Sequence, residues 1–332
     1  MKITAYEVRK DEEEKMRQVA EACGVKELVI TEKPLTIETL DLAEGAVGVT
    51  TLGQSKINEE ICSRLHEMGI TGYSTRTIGY NHVDLNAAQK YGIQVSNASY
   101  SPHGVAEYTV MMLLMSLRKY KPALYRINVN DYSLDGLIGG ELHEMTVGII
   151  GTGKIGDTVI KNLSGFGCKI YAYDVYEKDT VKQYASYQDL DTIYRECDAI
   201  SLHIPLLDST YHMIDETAIN KMKKNVILVN CARGELMDIE AVIHGVEEEK
   251  IGAVALDVFE NENGIYHHDR RTDIIKNREM AYLRQFPNVI MTQHMAFYTQ
   301  QAVDSMVKCG IESIAAFAKN EDYPCRLTGE RR

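Results

Sequence analysis

The chain has 332 residues, of which 45% are hydrophobic and 25% charged, so its composition is globular and its length predicts two domains. Asp and Glu number 48 against 36 Lys and Arg, and the resulting net charge of −12 argues against nucleic acid as a partner. The seven cysteines include no C-x-x-C pair, which argues against a zinc ribbon or a secreted disulfide framework.

The N-terminal residues show no apolar stretch of signal-peptide length, and no segment approaches ~20 uninterrupted apolar residues. The most apolar run, from Val105 to Leu117, contains Glu107 and is followed by Arg118, which favours a buried helix over a membrane span. We therefore expect a cytoplasmic protein with no membrane partner.

Residues 1 to about 97 alternate β-rich runs with polar helical stretches, a pattern typical of a small α/β unit. The predicted strands cover residues 3–8, 27–30, 46–50, 72–75 and 93–96. The charge run at residues 10–15 is interpreted as the solvated start of a helix, not as a metal site, because acidic side chains suit the positive end of the helix dipole.

A helix predicted over residues 102–118 leads into a second unit in which strands and helices alternate. The predicted strands cover residues 146–150, 169–173, 199–203, 226–230, 252–256 and 289–292. Apolar strands separated by helices predict a doubly wound parallel sheet. The segment 299–318 is again helical, no further strand of that sheet follows it, and we expect it to fold back on the first unit.

A glycine motif directly follows the first strand of the second unit. It reads Gly151-Thr-Gly153-Lys-Ile-Gly156 and opens a predicted helix, the context of a dinucleotide-binding loop. Gly151 permits the tight turn, Gly153 lets the backbone approach a pyrophosphate, and Gly156 lets the helix pack closely on the strand. The motif therefore predicts a nucleotide cofactor on the N-terminus of this helix.

An acidic residue at the end of the next strand indicates which cofactor it is. Asp174 lies eighteen residues after Gly156, where a carboxylate accepts the ribose hydroxyls. It would repel a 2′-phosphate, and no arginine occurs in residues 175–178, so NAD is favoured over NADP. FAD is disfavoured because about 145 residues precede the motif.

Three further groups of side chains follow predicted strands of this sheet, at the edge where doubly wound folds bind ligands. Arg233 offers a planar fork that suits a carboxylate. His294 can give and accept a proton near neutral pH. Glu262, five residues after Asp257, can pair with that imidazole and keep it protonated. Glu260 is the alternative partner for His294. Together with a nicotinamide site, these groups are suited to reducing a 2-oxo acid.

The chain resembles the D-specific 2-hydroxyacid dehydrogenases over nearly its whole length. The resemblance is carried by five motifs in the family's order: YSPHGVAEY at 100–108, TVGIIGTGKIG at 146–156, LVNCARG at 228–234, ALDVFE at 255–260 and PNVIMTQH at 287–294. Within the family, the segments 74–84 and 296–299 are most similar to D-lactate dehydrogenases, including the vancomycin-resistance type.

The resemblance implies a Rossmann-type NAD-binding domain at residues 101–297 and a smaller, flavodoxin-like α/β substrate domain at residues 1–100 and 298–332. It also implies a homodimer formed through the nucleotide domain. In its catalytic set, Arg233 binds the substrate carboxylate and polarises the keto oxygen, His294 donates the proton, and Glu262 holds and tunes His294. The implied substrate contacts beyond Arg233 are Ile78, Gly79, Tyr100 and Tyr298. The implied cofactor contacts are Gly151, Gly153, Lys154, Ile155, Gly156, Asp174, Ile204, Pro205, Thr210, Cys231, Ala232, Arg233 and Asp257. No metal is implied.

The sequence departs from the family pattern at two places. Gln293 stands where a proline usually precedes the histidine, so the preceding Thr292 is less restricted. The pocket segment at residues 48–53 lacks the aromatic residues of some members. Pyruvate reduced to D-lactate is the expected reaction. The alternatives are a larger 2-oxo acid (phenylpyruvate, 2-oxoisocaproate or 2-oxoglutarate) and an NAD(H)-sensing regulator of the same fold.

Overall fold

The structure is a computed structural model that describes residues 1–329. The chain forms two compact units, one built from Met1–Ser101 together with the chain from Tyr298 onwards, and the other from Pro102–Phe297. Both are α/β units built on parallel sheets, as the sequence predicts. Within residues 1–329, no helix is long and apolar enough to cross a membrane.

The smaller unit contains a five-stranded parallel sheet with the order β2-β1-β3-β4-β5. Its strands are β1 Lys2–Ala5, β2 Glu27–Ile30, β3 Gly48–Thr51, β4 Gly72–Thr75 and β5 Gln94–Ser96. Every residue of β3 and β4 is buried, as a parallel sheet covered on both faces requires.

Helices cover both faces of this sheet. They are α1 Lys10–Ala22, α2 Glu59–Glu67, α3 Leu85–Lys90 and, from the end of the chain, α12 Gln300–Ala318, with a 3-10 helix at Ile37–Ala43. Met16 and Val19 of α1 pack with Val307, Ile311 and Ile314 of α12 in one apolar cluster. The C-terminal helix therefore folds back on the first unit, as the sequence predicts.

The charge run at residues 10–15 opens α1 as expected, but it is not simply solvated. Glu12 is fully buried, and its Oε1 accepts a hydrogen bond from Nε of the equally buried Arg76 at 3.0 Å. The sequence pattern could not show this, because the partner lies 64 residues away in the chain.

The larger unit contains a seven-stranded parallel sheet with the order β12-β11-β10-β9-β6-β7-β8. Its strands are β6 Thr146–Ile150, β7 Lys169–Tyr173, β8 Ser186–Tyr187, β9 Ala199–Leu202, β10 Val226–Asn230, β11 Ile251–Leu256 and β12 Val289–Met291. The sequence analysis missed β8, because a strand of two residues has no measurable alternation.

The helices of the larger unit are α4 His103–Leu117, α5 Tyr120–Ile127, α6 Lys154–Ser164, α7 Asp179–Lys182, α8 Leu190–Glu196, α9 Glu216–Lys221, α10 Ile239–Glu247 and α11 Arg278–Leu283, with 3-10 helices at Leu142–Glu144 and Gly234–Leu236. Helix α4 begins one residue later than predicted, with Pro102 in the N-cap position. Apolar side chains of α4 and α6 cover one face of the sheet, and those of α8, α9 and α10 cover the other.

The strand order reverses beside β6, which lies between β7 and β9. The chain runs outward from β6 to β7 and β8, then returns to β9 and continues on the other side to β12. A crevice therefore opens at the carboxyl ends of β6 and β9, where doubly wound sheets bind their ligands. The glycine motif follows β6 directly.

Candidate active site

The glycine motif forms a tight turn between β6 and α6. Gly151 has φ +97°, and a Cβ on it would lie 2.5 Å from the His203 carbonyl oxygen. A Cβ on Gly156 would lie 1.9 Å from the Gly151 oxygen, whereas one on Gly153 would meet no atom within 4 Å. Two glycines are thus required by packing, and the third leaves open space beside the N-terminus of an 11-residue helix. This geometry fits the pyrophosphate of a dinucleotide.

Asp174 lies at the end of β7 beside this turn. Its Oδ2 accepts hydrogen bonds from the Thr152 amide at 2.6 Å and the Thr152 hydroxyl at 3.1 Å, and its Oδ1 accepts one from the Tyr176 amide at 3.1 Å. Partial burial alone would raise the pKa of Asp174, but these hydrogen bonds outweigh it and lower the pKa. The carboxylate is therefore ionised and fixed in place next to the glycine motif.

The segment after β9 carries three of the residues that the sequence links to the cofactor, namely Ile204, Pro205 and Thr210. The Thr210 hydroxyl donates to the Pro205 carbonyl at 2.8 Å and accepts from the Leu207 amide at 2.8 Å, which closes the turn. His203 is the first residue of this segment, and burial lowers its pKa to about 4, so the imidazole is neutral.

Arg233 follows β10, in a loop that Asn230 organises. The Asn230 side chain accepts from the Ala232 amide at 3.0 Å and donates to the Arg233 carbonyl at 2.8 Å. The guanidinium donates through Nη1 to the Ala232 carbonyl at 2.6 Å. Burial, followed by the Asp257 carboxylate, raises the pKa of Cys231 to about 12, so its thiol is uncharged.

Asp257, at the end of β11, is fully buried and holds the next loop of the sheet. Its carboxylate accepts hydrogen bonds from the Thr292 hydroxyl at 2.6 Å, the Met295 amide at 2.9 Å and the Ala296 amide at 2.8 Å. Its main-chain carbonyl accepts from the His294 amide at 2.6 Å. The sequence analysis assigned Asp257 only a nicotinamide contact and missed this role, because no short-range pattern links residues 35 to 39 positions apart.

His294 follows β12 and pairs with Glu262. Its Nδ1 donates to Glu262 Oε1 at 2.5 Å, and Glu262 Oε2 accepts from the Phe259 amide at 2.7 Å. The rival Glu260 has a different partner, because its Oε2 accepts from Nε2 of His212 at 2.9 Å. The other ring nitrogen of His294, Nε2, takes no part in the hydrogen bond to Glu262.

A second histidine lies beside His294 that the sequence analysis did not single out. His267 donates through Nε2 to the main-chain carbonyl of His294 at 3.1 Å, and the two ring centroids are 6.1 Å apart. Both residues have positive φ, +63° for His267 and +52° for His294. No local sequence signal distinguishes His267 from its exposed neighbours.

The remaining sequence-predicted contacts belong to the smaller unit. Ile78 and Gly79 follow β4, where the Ile78 carbonyl accepts from the Asn97 side chain at 2.8 Å and the Gly79 carbonyl accepts from the Thr77 hydroxyl at 2.7 Å. Tyr298 lies under the Arg9 guanidinium, 5.2 Å from ring centroid to Cζ. Tyr100 lies between β5 and the end of this unit's first chain segment. Within residues 1–329, no cluster of His, Cys, Asp and Glu is arranged to hold a metal.

Comparison with known proteins identifies the family. Residues 110–296 match the NAD-binding domain of the D-isomer specific 2-hydroxyacid dehydrogenases. The chain is 42% identical over 319 residues to an aromatic 2-oxoacid reductase of Clostridium sporogenes, covering 96% of each chain. It is 38% identical over 308 residues to a D-lactate dehydrogenase of Lactobacillus delbrueckii subsp. bulgaricus, covering 92% of each. The structure of a D-2-hydroxyisocaproate dehydrogenase matches with a TM-score of 0.90 and 31% identity, covering 99% of this chain and all of that one. The chain therefore belongs to the D-isomer specific 2-hydroxyacid dehydrogenases and is an NAD-dependent oxidoreductase of that family.

Proposed function

We propose that this enzyme reduces a 2-oxo acid to the D-2-hydroxy acid with NADH, using Arg233, Glu262 and His294. The observation that carries the proposal is the hydrogen bond between His294 and Glu262 at the edge of a sheet that also presents Arg233. The three residues follow β10, β11 and β12, which are neighbours in the sheet. The glycine motif and Asp174 support NAD at the same edge.

The roles follow from the chemistry of each group. Bound NADH supplies the hydride. The Arg233 fork suits the substrate carboxylate and draws electron density from the adjacent keto oxygen. His294 delivers its proton from Nε2 to that oxygen as negative charge develops there, and Glu262 holds the ring by Nδ1 and stabilises the imidazolium before transfer. Cys231 stays an uncharged neighbour, because its thiol does not ionise near neutral pH.

For the other residues that the sequence analysis singled out, we propose the same cofactor and substrate contacts. Cofactor contacts are proposed for Gly151, Gly153, Lys154, Ile155, Gly156, Asp174, Ile204, Pro205, Thr210, Cys231, Ala232, Arg233 and Asp257. Substrate contacts are proposed for Ile78, Gly79, Tyr100, Arg233 and Tyr298. The support is that five of these residues each lie within three residues of the carboxyl end of a strand of one sheet, namely Gly151, Asp174, Ile204, Arg233 and Asp257.

Pyruvate is the proposed substrate, and a larger 2-oxo acid is the second candidate. Two observations support a larger 2-oxo acid as the second candidate. The segment at residues 48–53 contains no aromatic side chain, and the relative with 42% identity is an aromatic 2-oxoacid reductase. One extra apolar group changes discrimination by only about 1–3 kcal/mol, so both acids are expected to react to a measurable extent.

We also propose that the enzyme is a cytoplasmic homodimer. A dimer is supported by exposed apolar side chains on and after α5, among them Tyr125, Leu134 and Ile138. Patches of this kind on one unit typically mark association surfaces. The cytoplasm is supported by the seven cysteines, none of which forms a disulfide in the described structure. Cell fractionation followed by an NADH-oxidation assay checks this location.

The product tests the proposed function. With NADH and pyruvate we expect D-lactate, and a panel that includes phenylpyruvate, 2-oxoisocaproate and 2-oxoglutarate ranks the substrates by kcat/KM. Chiral chromatography of the product is the measurement. Formation of the L-isomer, or no turnover of any 2-oxo acid, would contradict the proposal.

Glu262→Gln should lower kcat for pyruvate reduction by roughly tenfold or more in steady-state assays, because His294 loses the carboxylate that holds its ring by Nδ1. Glu260→Gln is the matched control, since Glu260 is bound to His212 instead, and its kcat should stay close to that of the wild type. An unchanged kcat in Glu262→Gln would remove Glu262 from the mechanism.

Asp174→Asn should relax the exclusion of NADPH, because it removes the charge that repels a 2′-phosphate while leaving an oxygen to accept from Thr152. Asp174→Ala should also weaken NADH binding, by roughly tenfold or more, since hydrogen bonds to charged groups contribute about 1.5–3 kcal/mol. Steady-state kinetics with both cofactors test this, with the exposed Asp179→Asn as control. Unchanged cofactor preference in Asp174→Asn would mean that the ribose is bound elsewhere.

Ile138→Glu should dissociate the proposed dimer, because a charge would be buried in an apolar contact. Ile274→Glu serves as the control, since Ile274 is also exposed, at 91% against 85% for Ile138, but lies in a different segment of the same unit. Sedimentation equilibrium should give twice the chain mass for the wild type and the control. A monomeric wild type would reject the dimer.

A further inference from the structure

Glu7 has an unusual position in the smaller unit. It follows β1 closely, its backbone has φ +55°, and only 4% of it is exposed. A left-handed backbone and a buried carboxylate each cost free energy, and such features persist where the surrounding structure fixes them for a purpose.

The Glu7 carboxylate binds the loop that follows β3. Its Oε2 accepts from the Leu52 amide at 2.7 Å and from the Gln54 amide at 3.0 Å, and its Oε1 accepts a short hydrogen bond from the Ser55 hydroxyl. The Ser55 hydroxyl in turn accepts from the Leu35 amide at 2.7 Å. One carboxylate thus fixes three of the four residues of the 52–55 loop.

The nearby cation Arg76 is occupied by other groups. Its Nε donates to Glu12 at 3.0 Å, and its Nη2 donates to the carbonyl oxygens of Tyr6 and Glu7, both at 3.0 Å. Arg76 therefore fixes the backbone around Glu7, while the Glu7 side chain is left to the loop. The carboxylate also acts on Tyr73, whose pKa is raised by burial first and by the charge of Glu7 in addition.

The contact between Glu7 and the 52–55 loop lies where the strand order of the smaller sheet reverses. The strand order β2-β1-β3-β4-β5 reverses between β1 and β3, and in open α/β sheets the crevice outside such a reversal binds ligands. The Leu52 and Gln54 amides flank Gly53, which has φ +104°, and both donate to the same oxygen of Glu7. Amides that converge in this way suit an anion, and here that anion is the Glu7 carboxylate.

We propose that Glu7 is a positioning residue that fills the anion site of the smaller sheet with its own carboxylate and thereby fixes the 52–55 loop. The sheet then holds no anionic ligand at its strand reversal, and the loop presents one fixed surface at the ligand edge. Through that fixed surface Glu7 sets the preference among 2-oxo acids; this last consequence rests on the proposed function.

Glu7→Ala combined with added acetate tests the filled site. Alanine keeps the backbone strain but removes a fragment the size of acetate, so about 100 mM acetate should raise the Tm of Glu7→Ala by about 2–4 °C. Acetamide, the neutral isostere, and sodium chloride at equal ionic strength should not. Acetate should raise the Tm of Glu7→Ala more than that of wild type or of Leu65→Ala, because Arg233 suits a carboxylate equally in all three and Leu65→Ala opens only an apolar cavity in the same unit.

Substrate preference tests the positioning role. Glu7→Ala should change the ratio of kcat/KM for phenylpyruvate to that for pyruvate by about fivefold or more, and acetate should return the ratio toward the wild-type value. Leu65→Ala, which only destabilises the unit, should keep the wild-type ratio. If Glu7→Ala does not fold, Glu7→Gln replaces it, and its changed ratio should resist acetate because the site stays filled.

The results separate the two proposals. A wild type that reduces no 2-oxo acid overturns the proposed function, while the acetate-dependent Tm still tests the filled site. No acetate effect on the Tm of Glu7→Ala, or equal effects of acetate and acetamide, overturns the filled anion site. A substrate ratio unchanged in both Glu7→Ala and Glu7→Gln overturns the positioning role.

Discussion

The hydrogen bonds of the buried Asp257 carboxylate fix the loop that carries His294, and the hydrogen-bonded pair of His294 and Glu262 depends on that loop. An ionised group without solvent costs several kcal/mol unless it is fully hydrogen-bonded, and all three side-chain bonds of Asp257 go to Thr292, Met295 and Ala296. Its main-chain carbonyl adds a bond to the His294 amide. These contacts restrain the loop at both sides of Gln293, where the family pattern has a proline. Hydrogen bonds thus supply the rigidity that a fixed proline φ gives elsewhere.

The parallel sheet explains why residues far apart in sequence meet. Parallel strands direct all their carboxyl ends to one edge, so the loops after β10, β11 and β12 are neighbours there. Gly234 tightens this arrangement, because a Cβ on it would lie 2.2 Å from the carbonyl carbon of Phe259. The loop with Arg233 and the loop with Glu262 are therefore packed backbone against backbone, and neither can shift without the other.

Short-range patterns predicted most of the fold and a pairing of His294 with an acidic residue that follows β11. Strand and helix positions follow from periodicity over neighbouring residues, and the glycine motif marks its own turn because each glycine has a local steric role. The pattern left Glu260 and Glu262 as rivals, since both follow the same strand; only the three-dimensional path of the loop assigns Glu262 to His294 and Glu260 to His212.

Long-range pairings of buried charge were beyond the reach of sequence reasoning. In the sequence, Glu12 is one of several acidic residues in a charge run that was interpreted as solvated. Its buried partner Arg76 follows β4, far away in the chain. Asp257, Glu7 and His267 bind mostly main-chain groups, and a main-chain partner leaves no side-chain signature at the other end of the bond. The sequence therefore could not predict which loop supplies the hydrogen-bond partners of each buried polar side chain.

The return of the last helix to the first sheet has a consequence for how the protein is made. Ile314 of α12 lies against Gly48, where a Cβ would be in steric conflict with it, so this surface of β3 is shaped to receive that helix. The five strands leave the ribosome early, whereas α12 leaves only after the whole larger unit. During synthesis this face of the nascent sheet has α1 but lacks α12 while about 200 residues are added, a period on the order of 10–40 s at bacterial or eukaryotic elongation rates. The larger unit can fold in that interval, and the smaller unit is completed last.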